Sequence, residues 1–296
     1  MYLIGRPKAK HFLRFVRHHA LDAPSEESLR VQWQAAKARV RTLEAQEAGV
    51  ADNPVIMRME VGSKYELLLR QFLEDPLVQN GFNTVPTEVA LVELDRLVVY
   101  QKHIDVSFVR RLRKQLGVSP SDEDVFRACL PCDYPKPPAT WARLDEDGYV
   151  FVSPSNDLRF LGALPLEPDR VQGYPHRGRP VGVVGLTVGF GSNFLNAIHC
   201  ENRLVLNNGS HRAYALRAMG FKHAPCVVQH VSTRDELDLV ASADLKREPD
   251  RYLRGPRPSM LKDYFDPQLR TMLTVHRMVR QVRVKFSVSE HYVPAV

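Results

Sequence analysis

The chain has 296 residues, of which 44% are hydrophobic and 25% charged, a composition typical of a globular protein with one large domain or two smaller ones. Its net charge of +7 allows a polyanionic partner, such as a nucleotide or nucleic acid, without requiring one. No apolar run approaches a membrane span, and the basic N-terminus lacks the apolar core of a signal peptide, so we expect a cytoplasmic protein with no membrane partner. Four cysteines do not make a disulfide scaffold at this length.

The first quarter of the chain predicts helices. Residues 25–48 form a helix that Ser25 can cap, with Glu26 and Glu27 at the positive end of its dipole. A second helix, KYELLLRQFLED, precedes Pro76. This region carries no catalytic signature, so we expect it to act as a scaffold or a partner-binding segment.

The middle of the chain combines strands, a helix and a long irregular stretch. Residues 89–100 contain runs of β-branched residues, which predict strands. The segment VSFVRRLRKQLG then predicts a helix that ends at Gly117. Prolines then crowd residues 118–180, which we interpret as an insertion containing the strands GYVFVS and LRFLGAL. Its single CxxC pair, Cys129 and Cys132, has no further ligands nearby, so structural thiols are favoured over a zinc or redox site.

A regular pattern returns after residue 180. VGVVGLTVGF predicts a short buried strand, SNFLNAIH a short helix, and RLVLN a strand that leads into a helix ending at Gly220. APCVVQHV predicts one more strand, TRDELDLVASADL a helix, REPDRYLRGPRP a loop, and VRVKFSVSEHYV an alternating strand. Basic residues accumulate towards the end, with arginines at 277, 280 and 283.

The turn between RLVLN and the following helix holds more polar residues than a connector needs. A helix that begins near Ser210 presents unpaired backbone N–H groups and a positive dipole end, which together favour an anion. Gly209 lets a phosphate approach the backbone, and His211 and Arg212 add donors suited to phosphate oxygens. Good turn and capping chemistry would account for the asparagine, glycine and serine alone. It does not account for the histidine and arginine, so the cluster favours a phosphate site.

The segment LVLNNGSHRAYALRAMGFKHAPCVV resembles the signature of the ParB/sulfiredoxin superfamily, in which a strand, a G-x-H-R turn, a helix and a second strand follow one another. Upstream, VELDRLVVYQKHID resembles the family's opening segment. The resemblance implies a nucleotide or phosphate held by the turn and its helix. Its candidate phosphate ligands are Asn208, Gly209, Ser210, His211, Arg212, Gln101 and Lys102.

Members of this superfamily differ in chemistry, and this chain departs from several of them. Sulfinic-acid repair needs a cysteine where Ser210 stands, and DNA partitioning proteins continue into a helix-turn-helix that residues 232–296 do not show. Serine phosphorylation uses an acidic base where this chain has Gln101, although His103 or Glu93 could substitute. We therefore take His103 and His211 as the candidate catalytic residues and assign no metal ligands; Glu93, Asp95 and Asp105 are more simply explained as solvated carboxylates.

Together these features predict an α+β protein with a ParB/sulfiredoxin-like core, a small mixed sheet with helices. The predicted segments are a helical N-terminal part (1–84), the core domain (85–232, with the insertion at about 118–180) and a basic C-terminal extension (233–296). The expected function is binding of a nucleotide such as ATP or CTP, with or without Mg²⁺, or of another phosphorylated molecule, and hydrolysis or phosphotransfer stays open. The alternative is a non-catalytic DNA-binding or nucleotide-sensing module, or a ParB-like nuclease, in which the basic loop HRGRP and the C-terminal region contact nucleic acid. Homo-oligomerisation also stays open.

Overall fold

The computed structural model describes residues 1–59, 65–131, 137–155, 157–171, 173, 178–191 and 193–294. The chain is a mixed α/β protein that divides into two compact units. One comprises Met1–Asp133 and Ser192–His276, and the other Tyr134–Gly191 and Arg277–Val296. Cys132 and residues 174–177, part of the basic loop GYPHRGRP, lie outside the described residues, so the expectations placed on them are not addressed by the structure.

The described α-helices, in chain order, are α1 Ala9–His19, α2 Glu26–Gln46, α3 Glu66–Glu74, α4 Pro76–Gly81, α5 Val106–Leu116, α6 Asp122–Cys129, α7 Ser210–Ala218, α8 Arg234–Val240, α9 Ala243–Arg247 and α10 Pro249–Leu253. The strands are β1 Tyr2–Leu3, β2 Ile56–Arg58, β3 Thr87–Glu93, β4 Val98–Val99, β5 Thr140–Asp145, β6 Gly148–Ser153, β7 Leu158–Leu166, β8 Val183–Phe190, β9 Asn196–Cys200, β10 Arg203–Asn208, β11 His223–His230, β12 Arg270–Thr271 and β13 Arg280–Lys285. Within the described residues, no helix is both long enough and apolar enough to cross a lipid bilayer.

A six-stranded mixed sheet organises the first unit, in the order β2-β3-β11-β9-β10-β4. Strand β11 runs parallel to β9 and antiparallel to β3, while β10 runs antiparallel to β9 and parallel to β4. The inner strands β9, β10 and β11 are almost wholly buried because both faces of the sheet are covered. This sheet places the end of β10, and with it the polar turn, at one edge of a rigid core.

Several sequence predictions are confirmed by the helices around this sheet. Helix α2 begins after Ser25, whose hydroxyl oxygen accepts the N–H of Ser28 at 3.2 Å. Helix α5 ends before Gly117, which has a φ of +75°. The basic N-terminal segment, for which no helix was predicted, forms α1 because Phe12, Leu13 and Val16 share a face that packs in the core.

Other predictions are wrong. The segment SNFLNAIH contains strand β9 rather than a helix, because a short apolar run fits either element and its pairing with β10 and β11 decides. Strand β8 forms as predicted but is not buried: it pairs with β7, and its residues are exposed or half-buried. The loop predicted at REPDRYLRGPRP contains the short helix α10.

The second unit holds two small antiparallel sheets. Strands β13, β6 and β5 form one in that order, and β7 and β8 form the other. Of the strand predicted at 282–293, only the part up to Lys285 belongs to β13, which pairs with β6 of the predicted insertion; residues 286–293 form no strand. Helix α6, also in the predicted insertion, belongs to the first unit.

Candidate functional site

Gly209 shapes the turn between β10 and α7. Its φ of +92° lies in the left-handed region, which side chains with a Cβ disfavour. A Cβ at this position would lie 2.6 Å from Leu195 Cδ1 and 3.1 Å from Leu195 Cα. Backbone conformation and close packing therefore both require glycine here.

The N-terminus of α7 presents two free amide groups. The first helical hydrogen bond runs from Ala213 N–H to Gly209 O at 2.9 Å, so the N–H groups of Ser210 and His211 precede the helical ladder. No side chain caps the helix. In the described part of the chain, no acceptor pairs with these two N–H groups. They are donors at the positive end of a nine-residue helix, where an anion is stabilised.

The two asparagines before the glycine have different roles. Asn208 Oδ1 accepts the N–H of Gly209 at 2.7 Å and so stabilises the turn. Asn207 instead donates its side-chain amide inward, to Asn196 Oδ1 at 2.9 Å and to Val240 O at 3.2 Å. Asn196 in turn donates to Gln229 Oε1 at 3.1 Å. This buried amide network anchors the end of β10, and nothing in the local sequence pattern indicated it.

His211 is held as a neutral hydrogen-bonding group. Its Nε2 accepts the backbone N–H of Asp105 at 2.9 Å, and its ring meets the edge of Phe108 at a centroid distance of 5.4 Å. Burial, and then the positive charge of nearby His103, lower its pKa to about 4. A neutral ring that accepts at Nε2 carries its proton on Nδ1. His211 can therefore donate a hydrogen bond, but neither nitrogen is free to act as a general base.

The other candidate catalytic residue, His103, lies close to the same cluster. Its ring stacks on Phe15 at a centroid distance of 5.8 Å. The side chain is exposed, but desolvation by its neighbours, then the positive charges of the Met1 amino group and His19, lower its pKa. Asp105, two residues later, is engaged with α5, because its carboxylate accepts the N–H groups of Ser107 and Phe108. His103 and Asp105 both influence the pKa of His211, so the three side chains lie near one another.

Arg212 faces the protein interior. Its guanidinium donates to Cys129 O at 3.1 Å, to Ala128 O at 3.3 Å and to Asn193 Oδ1. The residue is 7% exposed. In this geometry Arg212 holds the end of α6 and the segment before β9.

Gln101 and Lys102 line a different feature, a narrow cleft beside the N-terminal segment. Gln101 Nε2 donates to His103 O at 2.9 Å. The cleft also contains Arg6 and Asp263, and it offers about 20 Å³ to water-sized molecules. Among the described residues, Arg6 Nε and Nη2 and Asp263 Oδ1 are buried without hydrogen-bond partners.

The remaining carboxylates near the turn are not arranged as metal ligands. Asp95 binds the guanidinium of Arg217 through both oxygens, at 2.9 and 3.3 Å. Glu93 lies at the end of β3, where it pairs with His223 of β11. Across the residues that the structure describes, no group of three or more His, Cys, Asp or Glu side chains is placed to hold a metal ion.

Two helices near the cluster carry exposed basic faces. Neither α1 nor α5 contains an acidic residue. Within the described chain, most of their exposed cations have no carboxylate at salt-bridge distance: Lys10, Arg14, Arg110, Arg111, Arg113 and Lys114. The cluster of His103 and His211 links the two helices, through Phe15 of α1 and Phe108 of α5. The positive potential of these helices favours anions in this part of the surface.

The buried cysteine thiols are unreactive. Burial raises the pKa of Cys129 to about 12, and Cys200 and Cys226 are also buried, with raised pKa values. Thiolates are the reactive form of cysteine, so these three positions have none of the reactivity of a redox centre.

Comparison with protein-family models, curated proteins and solved structures finds no match to this chain. The ParB/sulfiredoxin resemblance accordingly rests on the G-x-H-R turn and the elements around it. The function is argued below from the geometry of that turn.

Proposed function

We propose that the chain is a ParB/sulfiredoxin-like protein that binds a phosphate-bearing ligand, a nucleotide or another phosphorylated molecule, at the N-terminus of α7. The observation that carries this proposal is the pair of unpaired amides at Ser210 and His211, which follow the left-handed Gly209 and have no capping side chain. Two unpaired N–H groups and the positive end of a helix dipole are elements of a phosphate site. The Nδ1–H of His211 provides a third donor beside them.

The hydrogen bonds already made by the nearby titratable groups favour ligand binding over catalytic turnover. His211 has no free basic nitrogen, Asp105 is bound to the amides of α5, and the ring of His103 is stacked on Phe15. Phosphoryl transfer needs a base or a positioned metal ion in addition to phosphate contacts. The turn therefore supports a ligand-binding or ligand-sensing role, with Ser210 and His211 as the principal phosphate contacts.

Residue-specific NMR tests this site directly. Amide ¹H–¹⁵N spectra would be recorded while inorganic phosphate, AMP, ATP or CTP is added, with and without Mg²⁺. We expect saturable shifts of the Ser210 and His211 amides. The amide of Ser28 at the start of α2 is the internal control, because Ser25 already occupies it and it should not move. Equal shifts at the N-termini of α2 and α7, or no saturable shift at α7 with any of these ligands, would overturn the proposal.

A matched pair of variants supports the same test. His211→Gln and His211→Glu have the same shape, and glutamate is compatible with the first turn of a helix. We expect His211→Gln to bind phosphate within a few-fold of the wild type and His211→Glu to lose at least tenfold, because its carboxylate competes for the same amides. Similar affinities in the two variants would contradict an anion site at this turn.

A second candidate function is nucleic-acid binding through α1 and α5, favoured by their unpaired basic faces. Binding of this kind depends steeply on salt, because each neutralised phosphate releases counterions. We expect the variant Arg110→Glu/Arg113→Glu to lose affinity for an oligonucleotide and to show a shallower salt dependence. Lys222→Glu, on the loop before β11, is the control. Affinity that is equal in the two variants would exclude this surface.

A further inference from the structure

Two histidines face each other on the central sheet, away from the α7 turn. His199 of β9 and His230 of β11 are directly in register on adjacent parallel strands. Their Nδ1 atoms lie 3.2 Å apart, with ring planes at 87° and ring centroids 5.3 Å apart. Asn196, which pairs with Asn208 beside the turn, lies three residues earlier on β9, about 10 Å along the strand. The histidine pair is therefore a separate feature from the turn.

A carboxylate orients one of the two rings. Glu88 of β3 places Oε1 2.8 Å from His230 Nε2, and Arg58 lies 3.6 Å from the other carboxylate oxygen. An ionised Glu88 can only accept, so His230 carries its proton on Nε2 and directs the lone pair of Nδ1 towards His199. Without a metal ion, that lone pair accepts the Nδ1–H of His199. If His199 moves its proton to Nε2, both Nδ1 lone pairs point into the same space.

The distance between the two Nδ1 atoms is close to the distance expected for two histidines bound to one metal ion. Two imidazole nitrogens bound at about 2.0–2.1 Å to one tetrahedral ion lie about 3.3–3.4 Å apart. The observed 3.2 Å is within the small adjustment that a side-chain rotation supplies. A carboxylate on the far nitrogen of a ligating histidine is the common outer partner in such sites, where it sets the tautomer and increases ligand basicity.

The ligands are also accessible. The side chain of His230 is 34% exposed and that of Glu88 20%. Imidazole favours zinc, copper and nickel over the hard cations Mg²⁺ and Ca²⁺.

We propose that His199 and His230 bind one divalent transition-metal ion through their Nδ1 atoms, with Glu88 orienting His230. No third His, Cys, Asp or Glu side chain completes the set among the described residues, so water or a bound ligand fills the remaining positions. Such a site keeps open coordination positions, as catalytic rather than structural zinc sites do. This proposal is independent of phosphate binding at α7.

Isothermal titration of the full chain with Zn²⁺, with Mg²⁺ as the comparison ion, tests it. We expect one Zn²⁺ per chain at this site and no Mg²⁺ binding there. His199→Gln and His230→Gln should each lower Zn²⁺ affinity by at least tenfold, and Glu88→Gln by about 10–100-fold. His223→Gln, on the same strand as His230, is the matched control and should leave affinity unchanged. Circular dichroism checks that each variant is folded.

A spectroscopic measurement on the unmodified chain keeps the proposal testable if a variant does not fold. Cu²⁺ bound at this site should show coupling to two imidazole nitrogens in its electron paramagnetic resonance spectrum, and one in each single-histidine variant. Coupling to fewer than two imidazole nitrogens in the unmodified chain would overturn the proposal, as would coupling that is unchanged in both variants or Zn²⁺ affinities equal to that of His223→Gln. Failure of the wild type to bind Zn²⁺ would show that the pair is a hydrogen bond only.

Discussion

Replacing Gly209 with alanine perturbs the turn in two ways whose magnitudes follow from the structure. The φ of +92° costs a residue with a Cβ about 1–2 kcal/mol. The added Cβ would lie 2.6 Å from Leu195 Cδ1 and 3.1 Å from its Cα, and overpacking of this kind costs about 1–3 kcal/mol. We expect the free energy of unfolding to fall by about 2–5 kcal/mol.

Gly220→Ala is the matched control for this variant. Gly220 has nearly the same φ, +93°, but a Cβ there would meet no atom within 4 Å. Its loss should be only the backbone strain, about 1–2 kcal/mol. Urea denaturation followed by circular dichroism measures both, provided that the dependence on denaturant is the same in each. Equal losses would refute the conclusion that Leu195 packs against the turn. In a Leu195→Ala background, the effect of Gly209→Ala should shrink towards that of Gly220→Ala.

Three further predictions concern the residues that hold this unit together. Arg257→Met should lower the free energy of unfolding by about 3–5 kcal/mol, measured by urea denaturation, because it leaves Asp263 buried with a lost ion pair. Asn196→Ala should cost about 1–3 kcal/mol in the same assay, because Gln229 then loses its buried donor; a loss below 0.5 kcal/mol, roughly the value for a surface change, would contradict this. The pKa of His211 is lowered from 6.5 to about 4 in the folded state, so the unfolded chain takes up the proton first and stability should fall as pH drops from about 6.5 towards 4. In His211→Gln that part of the acid destabilisation should be absent in unfolding curves measured across this pH range, and an unchanged pH profile would refute the assignment.

The residues predicted to form one phosphate site lie in different places in the structure. The G-x-H-R turn, the helix after it and the free amides at Ser210 and His211 follow from local patterns, because turn and helix-end chemistry depends on neighbouring residues. The inward orientation of Arg212 does not, because its partners come from α6 and from the segment before β9. Lys102 likewise lies beside the cleft that contains Arg6, which is distant in the sequence.

The amino-acid sequence by itself determined the helix that Ser25 caps, the helix that ends at Gly117, and the strand–turn–helix around Gly209, since capping and left-handed turns are short-range. Only the tertiary structure decided that SNFLNAIH contains a strand, since a short apolar run takes its conformation from the strands it pairs with. The same holds for the pairing of His199 with His230, because two residues 31 positions apart meet only when β9 and β11 become neighbours in one sheet.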